Sequence, residues 1–116
     1  MQKIEHFDIL ACLMDIEQSI IEIYGFLPDD RNFHIFQKDV KTRKAVERNI
    51  EIIGEAMDRI LKADPNVQIT DSRKIVDTRN RIIHGYDRVS EDIIWLIVNR
   101  YLPVLEQEVQ ELLKQY

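Results

Sequence analysis

The chain has 116 residues, 45% hydrophobic and 32% charged, which is enough apolar material for one packed domain and too much for a disordered chain. Sixteen Lys and Arg against 21 Asp and Glu give a net charge of −5, excluding a surface that binds polyanions everywhere but not a local basic groove. Three Gly and three Pro disfavour turn-rich sandwiches and barrels, while the lone Cys12 excludes an internal disulfide and a multi-thiolate metal site.

The apolar spacing is helical almost throughout. In the first segment Ile9, Leu13, Ile16, Ile20, Ile23 and Leu27 step by threes and fours, which predicts a helix from about Ile4 to Leu27, stopped by Gly25 and Pro28. A second stripe, Phe7, Leu10, Met14, Ile21 and Tyr24, runs beside it and makes the apolar arc wider than one packing partner needs. Part of that arc is therefore expected to meet a second copy of the chain. The second helix carries Val46, Ile50, Ile53, Met57 and Ile60 and ends at Ala63-Asp64-Pro65. Its beginning is open, because Phe33, Phe36 and Val40 fit either its first turns or a short separate helix.

A third helix is expected from Thr70, as N-cap with Asp71 in the first turn, to a stop at Gly85, with Ile75, Val76, Ile82 and Ile83 as its apolar positions. The fourth opens after Ser90 with Glu91 and Asp92, then repeats Val98, Leu102, Leu105, Val109 and Leu112. Pro103 lies inside this pattern and should disturb the helix, since it removes a backbone donor and crowds the preceding turn. The expected fold is one all-α domain over residues 1–116, an up-down bundle of four helices. The longest apolar run, Ile9 to Met14, is too short to cross a bilayer, and no N-terminal stretch has the form of a secretion signal. A cytoplasmic protein without membrane contact is the expectation.

Charge is uneven: residues 1–30 hold one Lys against seven acids, whereas residues 31–64 hold eight bases against six. The segment with chemical content is Asp77-Thr78-Arg79-Asn80-Arg81-Ile82-Ile83-His84-Gly85-Tyr86. Asn80 lies one helical turn before His84 and Asp77 roughly on the same line, so either can orient an imidazole. Arg79 is about 140° around an ideal helix from His84, so the two converge only if the long guanidinium curves back or a second subunit supplies one of them. Such a set suffices for phosphodiester cleavage in RNA. An imidazole, with a reference pKa near 6.5, moves the protons, and a guanidinium stabilises the charge building on phosphorus oxygens. Read blandly, the same residues are a helix-end His with solvated arginines nearby.

Arg79-Asn80-x-x-x-His84-x-Tyr86 at the end of a third helix resembles the HEPN superfamily, and in particular the HepT toxins of type VII toxin–antitoxin pairs. The Ile52-Ile53-Gly54-Glu55-Ala56 stretch, Ile94-Trp95 and Leu102-Pro103 look like that family too. The resemblance implies an all-α homodimer with its site at the subunit interface, and ribonuclease activity without metal or cofactor. It implies catalytic roles for Arg79 and His84, with Asn80 in support. Tyr86 matches the tyrosine that a partner MntA-like minimal nucleotidyltransferase, the antitoxin, modifies with AMP. The alternative is a non-catalytic helical module that binds a nucleotide or docks on that nucleotidyltransferase.

Among the remaining candidates, Glu55 fits either a partner for Arg79 or Arg81 or an ordinary exposed carboxylate. Lys41, Lys44 and Arg48 share one helix face, read first as a solvated surface and second as contacts for RNA or an acidic partner, and Arg81 is a further candidate for such contacts. His6 and His34 lack ligand-spaced neighbours, so no metal site is expected. Cys12, Trp95 and the Phe33–Phe36 pair read as packing residues.

Overall fold

The computed structural model describes residues 6–84 and 90–116, and among these every regular element is helical. Helix α1 spans His6–Phe26, α2 Phe33–Lys38, α3 Val40–Ala63, α4 Ser72–His84, α5 Glu91–Leu96 and α6 Leu102–Leu113, with a π-helical turn over Ile97–Tyr101 joining the last two. Helix α3 is the centre of the bundle: α1 and α4 pack on it, and α6 closes against α1.

The core follows the predicted stripes. Leu13, Ile16, Ile20 and Ile23 of α1 are fully buried, as are Val46, Met57 and Ile60 of α3. Ile50 and Ile53, Val98, Leu102, Leu105 and Val109 join the same cluster. Each fully buried aliphatic side chain of this kind contributes roughly 1.5–3 kcal/mol. In the second stripe of α1, Tyr24 packs partly against this cluster but Met14 and Ile21 do not. Met14 and Ile21 are 56% and 54% exposed, because α3 and α6 cover only the opposite side of the helix.

Local chemistry sets the ends. The uncertain start of the second predicted helix resolves as a separate α2, with Asn32 as N-cap accepting from the Ile35 N–H at 3.2 Å. Asp39 then breaks the chain at φ −88°, ψ 84° and caps α3, accepting from the Thr42 N–H at 3.1 Å and hydroxyl at 2.6 Å. Those two bonds hold the Asp39 carboxyl below its ordinary pKa. Pro65 pushes Asp64 into extended backbone, which ends α3.

Two expectations are corrected. Thr70 does not cap α4; its N–H and hydroxyl both bond the Glu108 carboxylate, tying the loop to α6. Asp71 stands before the helix, not in its first turn, at a left-handed φ of 59°, and α4 starts at Ser72. The disturbance expected at Pro103 takes the form of the π-turn just before it, where the Leu102 N–H reaches back to the Ile97 carbonyl. The Asn99 amide donates to the Trp95 carbonyl at 2.9 Å.

Phe33 and Phe36 serve packing, as expected: their ring centroids lie 6.0 and 4.8 Å from that of Trp95. Arg43 adds a 2.6 Å ion pair to Glu91, linking the starts of α3 and α5. Cys12 is buried at 3% exposure, and that burial pushes its thiol pKa up. Native protein at pH 8 is therefore expected to resist Ellman's reagent and to release one equivalent of thiolate product only in denaturant; fast reaction of the folded protein would contradict this placement.

Candidate functional site

Gly54 decides how closely α3 and α4 approach. A Cβ built there would stand 2.3 Å from Arg79 Cβ, 2.9 Å from Arg79 Cγ and 3.2 Å from the Ile75 carbonyl oxygen. Arg79 therefore leaves its helix directly over the bare backbone of α3, and its side chain is only 17% exposed. The guanidinium reaches along α3 to Asp58, with Nη2 3.4 Å from Oδ2. The same Oδ2 pairs with Lys62 Nζ at 3.0 Å, so Asp58 is shared between two cations.

A comparison with Arg43 shows what is unusual about this arginine. Both bury Nε with no acceptor among the described residues, but Arg43 makes a 2.6 Å charge-assisted bond to Glu91. The contact from Arg79 to Asp58 is long and divided. Arg79 is thus fixed by packing at its root while most of its donor capacity is unspent, a state suited to an arriving phosphate. Glu55, the carboxylate that the sequence suggested for this role, is exposed, and the acid beneath Arg79 is Asp58, three residues further on.

The rest of the motif is spread along α4. Asn80 is half-buried, Asp77 and Arg81 are exposed, and His84 is exposed at the last described position of the helix. Five residues separate Arg79 from His84, a rise of about 7.5 Å with a turn of about 140°, so Arg79 faces the α3 seam and His84 does not share that face. Asp77 and Arg81 line a groove between α4 and the α5–π segment with Lys74, Ile93, Leu96 and Tyr101. Asp77, seen in sequence as an orienter of the imidazole, thus stands among the groove residues. Tyr86 and the helix stop at Gly85 lie outside the described residues.

Lys41, Lys44 and Arg48 all lie exposed on α3, with Arg48 3.5 Å from Glu51. Among the described residues no three His, Cys, Asp or Glu side chains gather as a metal site would require, and no helix is long and apolar enough to cross a membrane. Sequence reasoning missed Asp58; its position four residues after Gly54, on the next turn of the same helix, was the available signal.

Comparison with known proteins adds an independent line. The family model described as ribonuclease HepT-like matches residues 9–112. A protein of Methanocaldococcus jannaschii provisionally named an RNase is 34% identical over 111 residues, 92% of this chain and 88% of its own length. A second such protein of the same organism is 36% identical over 109 residues, covering 89% and 94% of the two chains. A protein of Thermococcus cleftensis provisionally named ribonuclease HepT is 33% identical over 106 residues, 88% of this chain and 93% of its own. No solved structure gives a significant match.

Proposed function

The chain belongs to the ribonuclease HepT-like family, and on that premise we propose that it is an RNA endonuclease acting as the toxin of a toxin–antitoxin pair. Its site combines Arg79 and His84 and is completed by a second copy, which brings an imidazole and a guanidinium to the same phosphate. One imidazole takes the proton from a ribose 2′-hydroxyl as that oxygen attacks phosphorus. The bond from phosphorus to the 5′-oxygen breaks, and the second imidazole, in its protonated form, gives that leaving oxygen its proton. The products are a 2′,3′-cyclic phosphate and a 5′-hydroxyl. Arg79 donates to the non-bridging oxygens, whose charge grows in the transition state. Asn80, one turn before His84, supports the imidazole.

The observation that carries this reading is the state of Arg79: rooted against Gly54, nearly buried, and, among the described residues, paired at 3.4 Å with an acid that Lys62 already holds. A merely structural arginine would be expected to make the short pair that Arg43 makes. A cognate minimal nucleotidyltransferase silences the enzyme by placing AMP on Tyr86, two residues beyond His84, adding bulk and negative charge where an RNA phosphate must sit. Exposed Ile83, at 47%, leaves apolar surface near the end of α4 for a second copy.

Incubating the purified protein with single-stranded RNA in excess chelator tests the proposal. Cleavage that leaves 2′,3′-cyclic phosphate ends is the expected result. Tight binding without cleavage would favour a non-catalytic module that docks on the nucleotidyltransferase.

A further inference from the structure

We propose that the groove between α4 and the α5–π segment is a nucleotide subsite of the RNA strand, in which one base stacks on Tyr101 and the flanking phosphates meet Lys74 and Arg81. This rests on the nuclease reading and extends it to how the strand is held. The groove measures about 240 Å³ and is lined by Lys74, Asp77, Thr78, Arg81, Ile93, Leu96, Ile97 and Tyr101. Its floor is apolar and its rim is charged, the combination that a flat aromatic base on an anionic backbone requires.

Three observations converge on it. First, Tyr101 is half-buried at the end of the π-turn. One residue more per turn shifts every later side chain by about 100° relative to an uninterrupted α-helix, and such single turns recur at functional sites. Second, a cation already sits over that ring: Lys74 Nζ is 5.4 Å from its centroid and 3.6 Å from Asp71, so the ammonium is held at the groove mouth. Third, Lys74, Arg81 and His84 fall within about 80° of arc on α4, with rises of about 10.5 and 4.5 Å between them. A strand laid along this helix would pass the two cations and reach the imidazole. Asp77 on the same rim offers an acceptor to an exocyclic amine, which favours an amino-bearing base over uracil.

The probe is a short single-stranded RNA with 2-aminopurine at one position and 2′-O-methyl riboses throughout, so that it binds without being cut. The full chain and Tyr101→Phe are expected to quench the 2-aminopurine fluorescence equally, since stacking needs the ring and not the hydroxyl. Tyr101→Leu is expected to lose the quenching and to bind on the order of tenfold more weakly, with its thermal midpoint recorded alongside. Arg81→Ala, at an exposed position where folding is not at stake, should weaken binding for all sequences and lower the salt slope by about one. Unchanged quenching in Tyr101→Leu, or an Arg81→Ala protein with unaltered salt dependence, overturns the subsite. So does a Tyr101→Leu protein that changes from dimer to monomer in sedimentation, because a second copy would then fill the groove. The two readings fail separately: stacking on Tyr101 without cleavage of unmodified RNA defeats the nuclease, and cleavage indifferent to Tyr101 and Arg81 defeats only the subsite.

Discussion

Gly54→Ala is expected to destabilise the protein by about 1–3 kcal/mol and to remove most of its cleavage activity. The new methyl would lie 2.3 Å from Arg79 Cβ and 3.2 Å from the Ile75 carbonyl oxygen, neither of which is the free end of a flexible chain. Helix α4 must therefore move away from α3 as a body, at the usual cost of overpacking. Alanine's better helix propensity recovers up to about 1 kcal/mol of this, so the net fall in thermal midpoint is on the order of 5–10 °C. Activity should fall further than stability, because Arg79 leaves α4 at the point of contact and a shift near 1 Å in a reacting group can cost a hundredfold. Gly25→Ala supplies the control: a Cβ there meets nothing within 4 Å, so the same substitution should be neutral or slightly stabilising. A Gly54→Ala protein with wild-type melting and wild-type cleavage would show that the helices do not meet as described.

Replacing His84 by Ala, or Arg79 by Ala, is expected to lower cleavage of RNA by roughly 10²–10⁴-fold with the fold unchanged. The two differ in what they do to stability. His84 is exposed at the last described position of α4, so its loss should leave the unfolding free energy within about half a kcal/mol of the parent. Arg79 is largely buried and its stem packs on Gly54, so its truncation should also cost stability through lost contacts. Arg79→Lys is the informative variant: it keeps the charge but not the planar fork, and should rescue folding far better than rate. Growth arrest on expression that survives both His84→Ala and Arg79→Ala would reject the catalytic assignment.

Asp58 gives a further view of the same seam. Removing a carboxylate that holds two cations would free Arg79 rather than unseat it, since the root of the side chain is fixed by Gly54 and not by the ion pair. The tight element of the site is thus a packing contact, and the electrostatic contact is the adjustable one. That arrangement suits a guanidinium that must exchange its partner for a phosphate.

The acidic first helix bears on assembly. Helix α1 contains four Asp and Glu and no Lys or Arg, and its exposed Met14 and Ile21 lie close to Asp15, Glu17 and Glu22. Two copies meeting through this face would bring like charges together, which weighs against the α1 contact expected from the sequence, while the exposed Met14 and Ile21 weigh for it. The proposed composite site would instead place the contact near the end of α4, a different part of the molecule.

Periodicity alone determined the helical class, the inward stripes of α1 and α3 and the apolar run of α6, because burial on one side of a helix imprints a 3.6-residue period on the sequence; the motif on α4 was legible only through the family resemblance. Some ends were legible as well, at Asp64-Pro65, where proline acts locally, and after Ser90, although the Ser90 side chain makes no capping hydrogen bond. Other features depended on contacts between distant segments. That Thr70 would bond Glu108, that Asp71 would turn left-handed before α4, and that the strain near Pro103 would be taken up as a π-turn are all settled by how α4 and α6 dock. The partner of Arg79 was likewise beyond reach. Glu55 and Asp58 lie on the same helix three residues apart, and only the rotation and crossing of α3 against α4, fixed by the missing side chain at position 54, brings Asp58 beneath the guanidinium. A sequence records which face of each helix is apolar; the register in which two such faces meet is a property of the packed pair.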